Sequence, residues 1–105
     1  MARLLPEIVC KLCYAHGAWI VGGACISDNP KDYDVAVPFS QWKGAAMLIP
    51  RDARPNPFGG WKLVSEGYGV DVWPCELGDL LTNDMVRNIW HPQSGARFCR
   101  VRAAA

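Results

Sequence analysis

The sequence predicts a single α/β domain, a mixed β-sheet flanked by helices, and three observations carry that expectation. Apolar residues recur at helical spacing near the N-terminus, short β-branched runs bounded by glycine and proline follow, and the two kinds of segment alternate along 105 residues. Half of the residues are hydrophobic and a fifth are charged, the composition of a globular domain, which excludes a disordered tail, a coiled coil or a collagen-like repeat.

Residues 3–15 place Leu4, Leu5, Ile8, Val9, Leu12 and Cys13 on one side of a helix and Arg3, Glu7 and Lys11 on the other, with Gly17 as its stop. Residues 18–21 form a short apolar run with β-branched and aromatic side chains, a buried strand that must turn sharply at Gly22 and Gly23. Residues 32–37 alternate with period two until Pro38 stops them, a second strand. Ser40 is the expected cap of a helix through Trp42, Ala45, Ala46, Met47 and Leu48, ended by Pro50. Residues 50–60 hold Pro50, Pro55 and Pro57, Arg51 and Arg54, and a Gly-Gly pair, and read as an exposed loop beside whatever cleft the strands create. Residues 61–64 and 70–73 flank Glu66-Gly67-Tyr68-Gly69 as a hairpin, residues 76–81 form a short helix after Pro74, and residues 97–102 read as an edge strand. The expected order is helix, strand, strand, helix, strand, strand, helix, strand.

Eleven basic and ten acidic side chains leave a net charge of +1, so no global field points to a nucleic acid or a membrane. Pro6, Glu7 and Lys11 interrupt the N-terminal apolar residues, and no apolar run approaches the ~20 residues that span a bilayer. Five cysteines, an odd number without even spacing, point to thiols in a reducing compartment, and the expected location is the cytosol.

Chemistry concentrates in three places: Gly22-Gly23 at the end of one strand, Asp32 and Asp34 at the start of the next, and Asp71 within an apolar strand. Residues two apart on a strand share a face at about 6 to 7 Å, so Asp32 and Asp34 stand side by side. Asp71 lies between Val70 and Val72; if these enter the core it faces the other way, and if its strand neighbours that of Asp34 the three carboxylates converge. Clustered carboxylates repel one another, and divalent cations relieve that repulsion. Two magnesium ions about 3.5 to 4 Å apart would hold a nucleoside triphosphate and stabilise the attacking and leaving oxygens of an in-line displacement. Glycine, lacking Cβ, lets backbone N–H groups approach phosphate oxygens at Gly22 and Gly23.

The runs WIVGGA at residues 19–24, PKDYDVAV at 30–37 and VDV at 70–72 match the pattern hG[GS], Dh[DE]h and h[DE]h. Across residues 18–73 the chain resembles the catalytic core of the DNA polymerase beta-like nucleotidyltransferase superfamily. Its wording is similar to that of the head domain of CCA-adding and poly(A) polymerases. The resemblance implies a minimal nucleotidyltransferase fold that moves a nucleoside monophosphate from a nucleoside triphosphate to an acceptor hydroxyl, on RNA, a protein or a small molecule, with release of pyrophosphate. It implies Asp32, Asp34 and Asp71 as ligands of Mg²⁺ or Mn²⁺, with Asp71 also helping to activate the acceptor, and Gly22 and Gly23 as the triphosphate site. The chain departs from the CCA-adding pattern in having eight residues between Gly23 and Asp32 and Cys25-Ile26 where Arg-Asp usually stands, so the intervening helix must be short. In size it is nearer the stand-alone minimal domains of toxin–antitoxin pairs and phages. A homodimer or a partner protein is the expected source of acceptor specificity. The same departures suit a second reading, an inactive module of this fold that binds and neutralises a partner protein, as an antitoxin or a phage regulator would.

Other motifs read as structural. Cys10, Cys13 and His16 have zinc-like spacing but lack a fourth ligand and lie on the apolar side of a helix, which favours buried thiols. His91 before Pro92 reads as an exposed turn histidine, and most of the five tryptophans read as core, with Trp73, on the strand face of Asp71, as the exception and a candidate cleft residue. Arg97, Arg100 and Arg102 form a basic edge that suits either a phosphate backbone or protection of the sheet edge, and on the first of these the domain would be a plain RNA binder.

Overall fold

The computed structural model describes residues 5–99. Helix α1 (Glu7–His16) ends at Gly17, which takes the left-handed conformation, φ 63°, and returns its N–H to the Leu12 carbonyl. Strand β1 (Trp19–Val21) runs into Gly22, whose φ of 79° starts a short 3₁₀ turn, Gly22–Cys25, before β2 (Asp32–Val37). This turn is all the helical structure between the glycines and Asp32. Helix α2 (Phe39–Ala46) begins directly after Pro38, so Ser40 sits inside the first turn and does not cap it; the Glu76 carboxylate accepts the Phe39 N–H instead, at 3.0 Å.

The stretch expected as loop contains β3 (Arg54–Pro55), paired with β4 (Trp61–Ser65). A two-residue turn at Glu66 and Gly67, both with positive φ, joins β4 to β5 (Tyr68–Pro74), the geometry whose twist matches a hairpin. After α3 (Leu77–Thr82) comes β6 (Asn88–His91), which the sequence did not announce. His91 is therefore a strand residue, stacked on Trp19 at 4.4 Å between ring centroids, with Nε2 donating to the Gly17 carbonyl, and the exposed-turn expectation is corrected. The last strand, β7 (Ala96–Cys99), covers the start of the expected edge strand; Arg100 and Arg102 lie outside the described residues.

The seven strands form one mixed sheet in the order β3-β4-β5-β2-β1-β6-β7, and β2 with β5 is its parallel pair. Hydrogen bonds from Gly69 N–H to the Lys31 carbonyl and from Cys75 N–H to the Val37 carbonyl extend that ladder at both ends. One face carries the main core: Val9, Leu12 and Cys13 of α1 and Ala45 of α2 pack on Ile20, Tyr33, Val35, Val37, Val70 and Val72. The other face carries a small cluster in which Leu80 of α3 meets Val21, Ala36 and Ile89, edged by Trp19 and Trp73. Contrary to the sequence expectation no tryptophan is fully buried; the core is aliphatic with Tyr33, Trp19, Trp42, Trp73 and Trp90 fill its margins, and Trp61 is exposed. No helix among the described residues is long and apolar enough to cross a membrane.

Candidate active site

Alternation along β2 sends Tyr33, Val35 and Val37 into the main core and Asp32 and Asp34 to the other face. In β5 the same alternation buries Val70 and Val72 and turns Gly69, Asp71 and Trp73 outward beside them. The parallel register then pairs Asp34 with Asp71 and Asp32 with Gly69. Across the sheet a single row of side chains on this face reads Arg54, Lys62, Asp71, Asp34, Val21, Ile89, Phe98, each on the next strand at about 4.8 Å. Cations, anions and apolar groups thus follow one another along the hydrogen-bonding direction.

The electrostatics follow from that row. Burial holds the half-buried Asp34 carboxyl above its ordinary range; the neighbouring charges of Asp71 and then Asp32 raise it further, and Lys62 opposes them. One glycine makes room for a carboxylate, and a second bends the chain beside one. A Cβ on Gly69 would run into the Asp32 carboxylate, and Gly22, whose positive φ excludes other side chains, faces the Asp34 carboxylate. At Gly23 a Cβ would meet nothing within 4 Å. An open depression of about 420 Å³ lies beside Asp32 and Asp34, lined further by Gly23, Ala24, Ser27, Asn29, Pro30 and Lys31.

The loop after β3 supplies a residue the sequence did not reveal. Asn56 Oδ1 accepts the N–H groups of Phe58 and Gly60 at 3.0 and 2.9 Å, which fixes the orientation of the amide. Its Nδ2 then points to the Trp61 carbonyl at 3.1 Å, the Asp71 carboxylate at 3.3 Å and the Val72 carbonyl at 3.4 Å. Gly60 lies so close to the Val72 and Trp73 backbone that any side chain there would overlap it. Phe58 rests on Trp73 at 5.3 Å between centroids. The loop is therefore closed onto β5 beside Asp71. An asparagine between two prolines is a turn signal, but nothing local tells which carboxylate it will meet.

Lys62 and Gly69 were also missed. Their positions in the strand alternation, one residue from inward Leu63 and two from Asp71, put them on the carboxylate face and could have been read once β4 and β5 were paired. Arg51 lies in an exposed turn before β3 and is not part of the strand register, whereas Arg54 belongs to this row. Arg97, on the edge strand β7 as expected, lies over the Trp90 ring at 4.4 Å and donates to the Cys25 carbonyl, so the fold holds its guanidinium in place. Cys13 is buried, and burial, with Cys10 adding, pushes its thiol up to about 12; His16 contacts Gln41 at 3.1 Å.

The donors offered by Asp32, Asp34 and Asp71 are all carboxylate oxygens at a concentration of negative charge, the chemistry that hard cations such as Mg²⁺ and Mn²⁺ take, and in that sense the residues fit such an ion. As they stand, no group of three His, Cys, Asp or Glu side chains among the described residues is gathered closely enough to hold a metal. Compared with known proteins, the chain matches no family model, no curated protein and no solved structure.

Proposed function

We propose that this chain is a divalent-cation-dependent nucleotidyltransferase built on the minimal nucleotidyltransferase fold. It would transfer a nucleoside monophosphate from a nucleoside triphosphate to an acceptor hydroxyl and release pyrophosphate. The observation that carries the reading is the parallel register of Asp34 with Asp71, with Asp32 two residues before Asp34 and the positive-φ Gly22 facing Asp34. Asp32, Asp34 and Asp71 would hold Mg²⁺ or Mn²⁺, which when bound neutralises phosphate charge and stabilises the attacking and leaving oxygens. Gly22 and Gly23 give the triphosphate close access to the backbone. Asp71 orients the acceptor hydroxyl and accepts its proton while the acceptor oxygen bonds to the α-phosphorus; the bond from that phosphorus to the bridging oxygen breaks, and the electron pair leaves with pyrophosphate. The proton then passes to solvent.

The test is to incubate the protein with α-labelled nucleoside triphosphates, Mn²⁺ and a cell extract, and follow label into larger acceptors. Transfer that disappears in Asp34→Asn supports the reading; absence of nucleotide binding with either cation refutes it. A second reading, an inactive module that docks on a partner protein, is favoured by the hydrogen bond from Asn56 to Asp71 and by the carboxylates not closing around one point. It predicts a stable protein complex that forms without nucleotide and survives Asp34→Asn.

A further inference from the structure

The geometry points to an acceptor that carries a phosphate group of its own, held by Lys62 and Arg54; this rests on the transferase reading and names the class of its second substrate. In the row across the sheet the carboxylates have different neighbours on their two sides. Val21 pairs with Asp34 and leads directly into Gly22, so the proposed triphosphate turn lies on the β1 side. Lys62 pairs with Asp71 and Arg54 pairs with Lys62, so both cations lie on the opposite side, on β4 and β3.

In-line displacement at phosphorus requires the attacking and leaving oxygens on opposite sides. With pyrophosphate departing toward Gly22 and Gly23, the acceptor hydroxyl enters from the side of Asp71, over β4 and β3. An acceptor arriving there passes two fixed positive charges within about two strand spacings, roughly 10 Å, of the reacting centre. Neither cation is consumed by the fold: both side chains are exposed, and among the described residues the ion pair within 4 Å is Lys11 with Glu7, on helix α1, which packs on the opposite face of the sheet. Lys62 stands directly beside Asp71 in the register, one strand from the carboxylate pair. Lysine as a point charge and arginine as a planar fork are the donors that bind phosphate oxygens. An acceptor without an anionic group would leave both unused.

A phosphate-bearing acceptor can be a nucleic acid strand or a small phosphorylated molecule, and two probes separate them: a ten-nucleotide oligoadenylate and ribose 5-phosphate. Binding of each is measured for the wild type, for Arg54→Ala/Lys62→Ala and for the charge-keeping Lys62→Arg, each shown to be folded by its melting curve. Binding of ATP with Mn²⁺ is measured separately on the same proteins. The expected result is at least a tenfold loss of probe binding in the double variant, retention in Lys62→Arg, and less than a twofold change in ATP binding. For the oligonucleotide the slope of log affinity against log salt should also fall by about 1.4, the share of two phosphate contacts on a single strand. Loss with the oligonucleotide alone assigns the site to a strand, and loss with ribose 5-phosphate assigns it to a small acceptor. Probe binding that is absent from the wild type, or equal in the double variant, overturns the inference. A double variant that loses ATP binding instead overturns it too, since the cations would then hold the triphosphate. Failure of the transferase reading shows differently, as wild-type protein that does not bind ATP with Mn²⁺.

Discussion

Replacing Asn56 with alanine tests how the loop is held against Asp71. The side chain accepts two backbone N–H groups and its amide donates toward three oxygens, one of them charged. A net hydrogen bond is worth about 0.5 to 1.5 kcal/mol. Phe58 N–H is exposed, so water replaces its partner and the loss there is near zero. The Gly60 N–H, the Val72 carbonyl and the Asp71 carboxylate are part-buried and lose more. Two to three effective bonds give a destabilisation of about 2 to 3 kcal/mol, near the upper range for a single loop side chain. At about 4 to 8 °C per kcal/mol for a domain of this size, the melting midpoint should drop by roughly 10 to 20 °C. Circular dichroism melts at neutral pH measure it directly. A drop below about 2 °C would refute the assignment of Asn56 as the fastener of the loop.

Asp34→Asn should raise stability at neutral pH. Because the folded state holds the Asp34 proton more tightly than the unfolded chain, wild-type stability falls as pH rises from the ordinary value of 3.8 to the raised one, and stays lowered above it. With the carboxylate half-exposed and screened, the gain in the variant is of order 1 kcal/mol, about 5 °C at pH 7. It should shrink as the pH approaches 3.8, and a variant that melts lower than wild type at pH 7 contradicts the crowding of charge. Gly69→Ala should leave the melting temperature within a few degrees, since the obstructing group is the end of the flexible, exposed Asp32 side chain, yet it should weaken Mn²⁺ binding by displacing that carboxylate. Equal Mn²⁺ titrations of the two proteins would detach Asp32 from the site. Iodoacetamide on native protein should label exposed Cys99 and spare Cys13, whose thiol is buried and pushed up to about 12; mass spectrometry of labelled peptides reads both.

The strands that carry the carboxylates were legible because their inward residues are β-branched and regular, Val35 and Val37 in β2, Val70 and Val72 in β5. That β2 lies parallel to β5 was not legible, since their pairing spans the whole of α2 and the hairpin. Strand β3 escaped because two residues, one of them Pro55, carry no periodicity. Strand β6 escaped because Asn88, Ile89, Trp90 and His91 look like a turn before Pro92; the backbones of β1 and β7 on either side, with the contact of His91 on Trp19, make them a strand. The cap of α2 failed for the same kind of reason, as Glu76 approaches from 37 residues away and does what Ser40 was expected to do.

The carboxylates have a consequence for folding that is separate from any chemistry. Side chains alternate with period two, so sliding β2 by one residue along β5 would turn Asp32 and Asp34 inward and seat them among Val9, Leu12 and Val72. Burying one ionised or unpaired carboxyl there costs several kcal/mol, a large share of the stability of a domain this small. The acidic residues thus act as a ratchet tooth for the central strand pair: one alignment leaves them on the face that opens to solvent, and the adjacent misalignments are excluded. A chain with all three replaced by valine would lose that discrimination and could pair β2 with β5 in more than one alignment, with both faces equally oily.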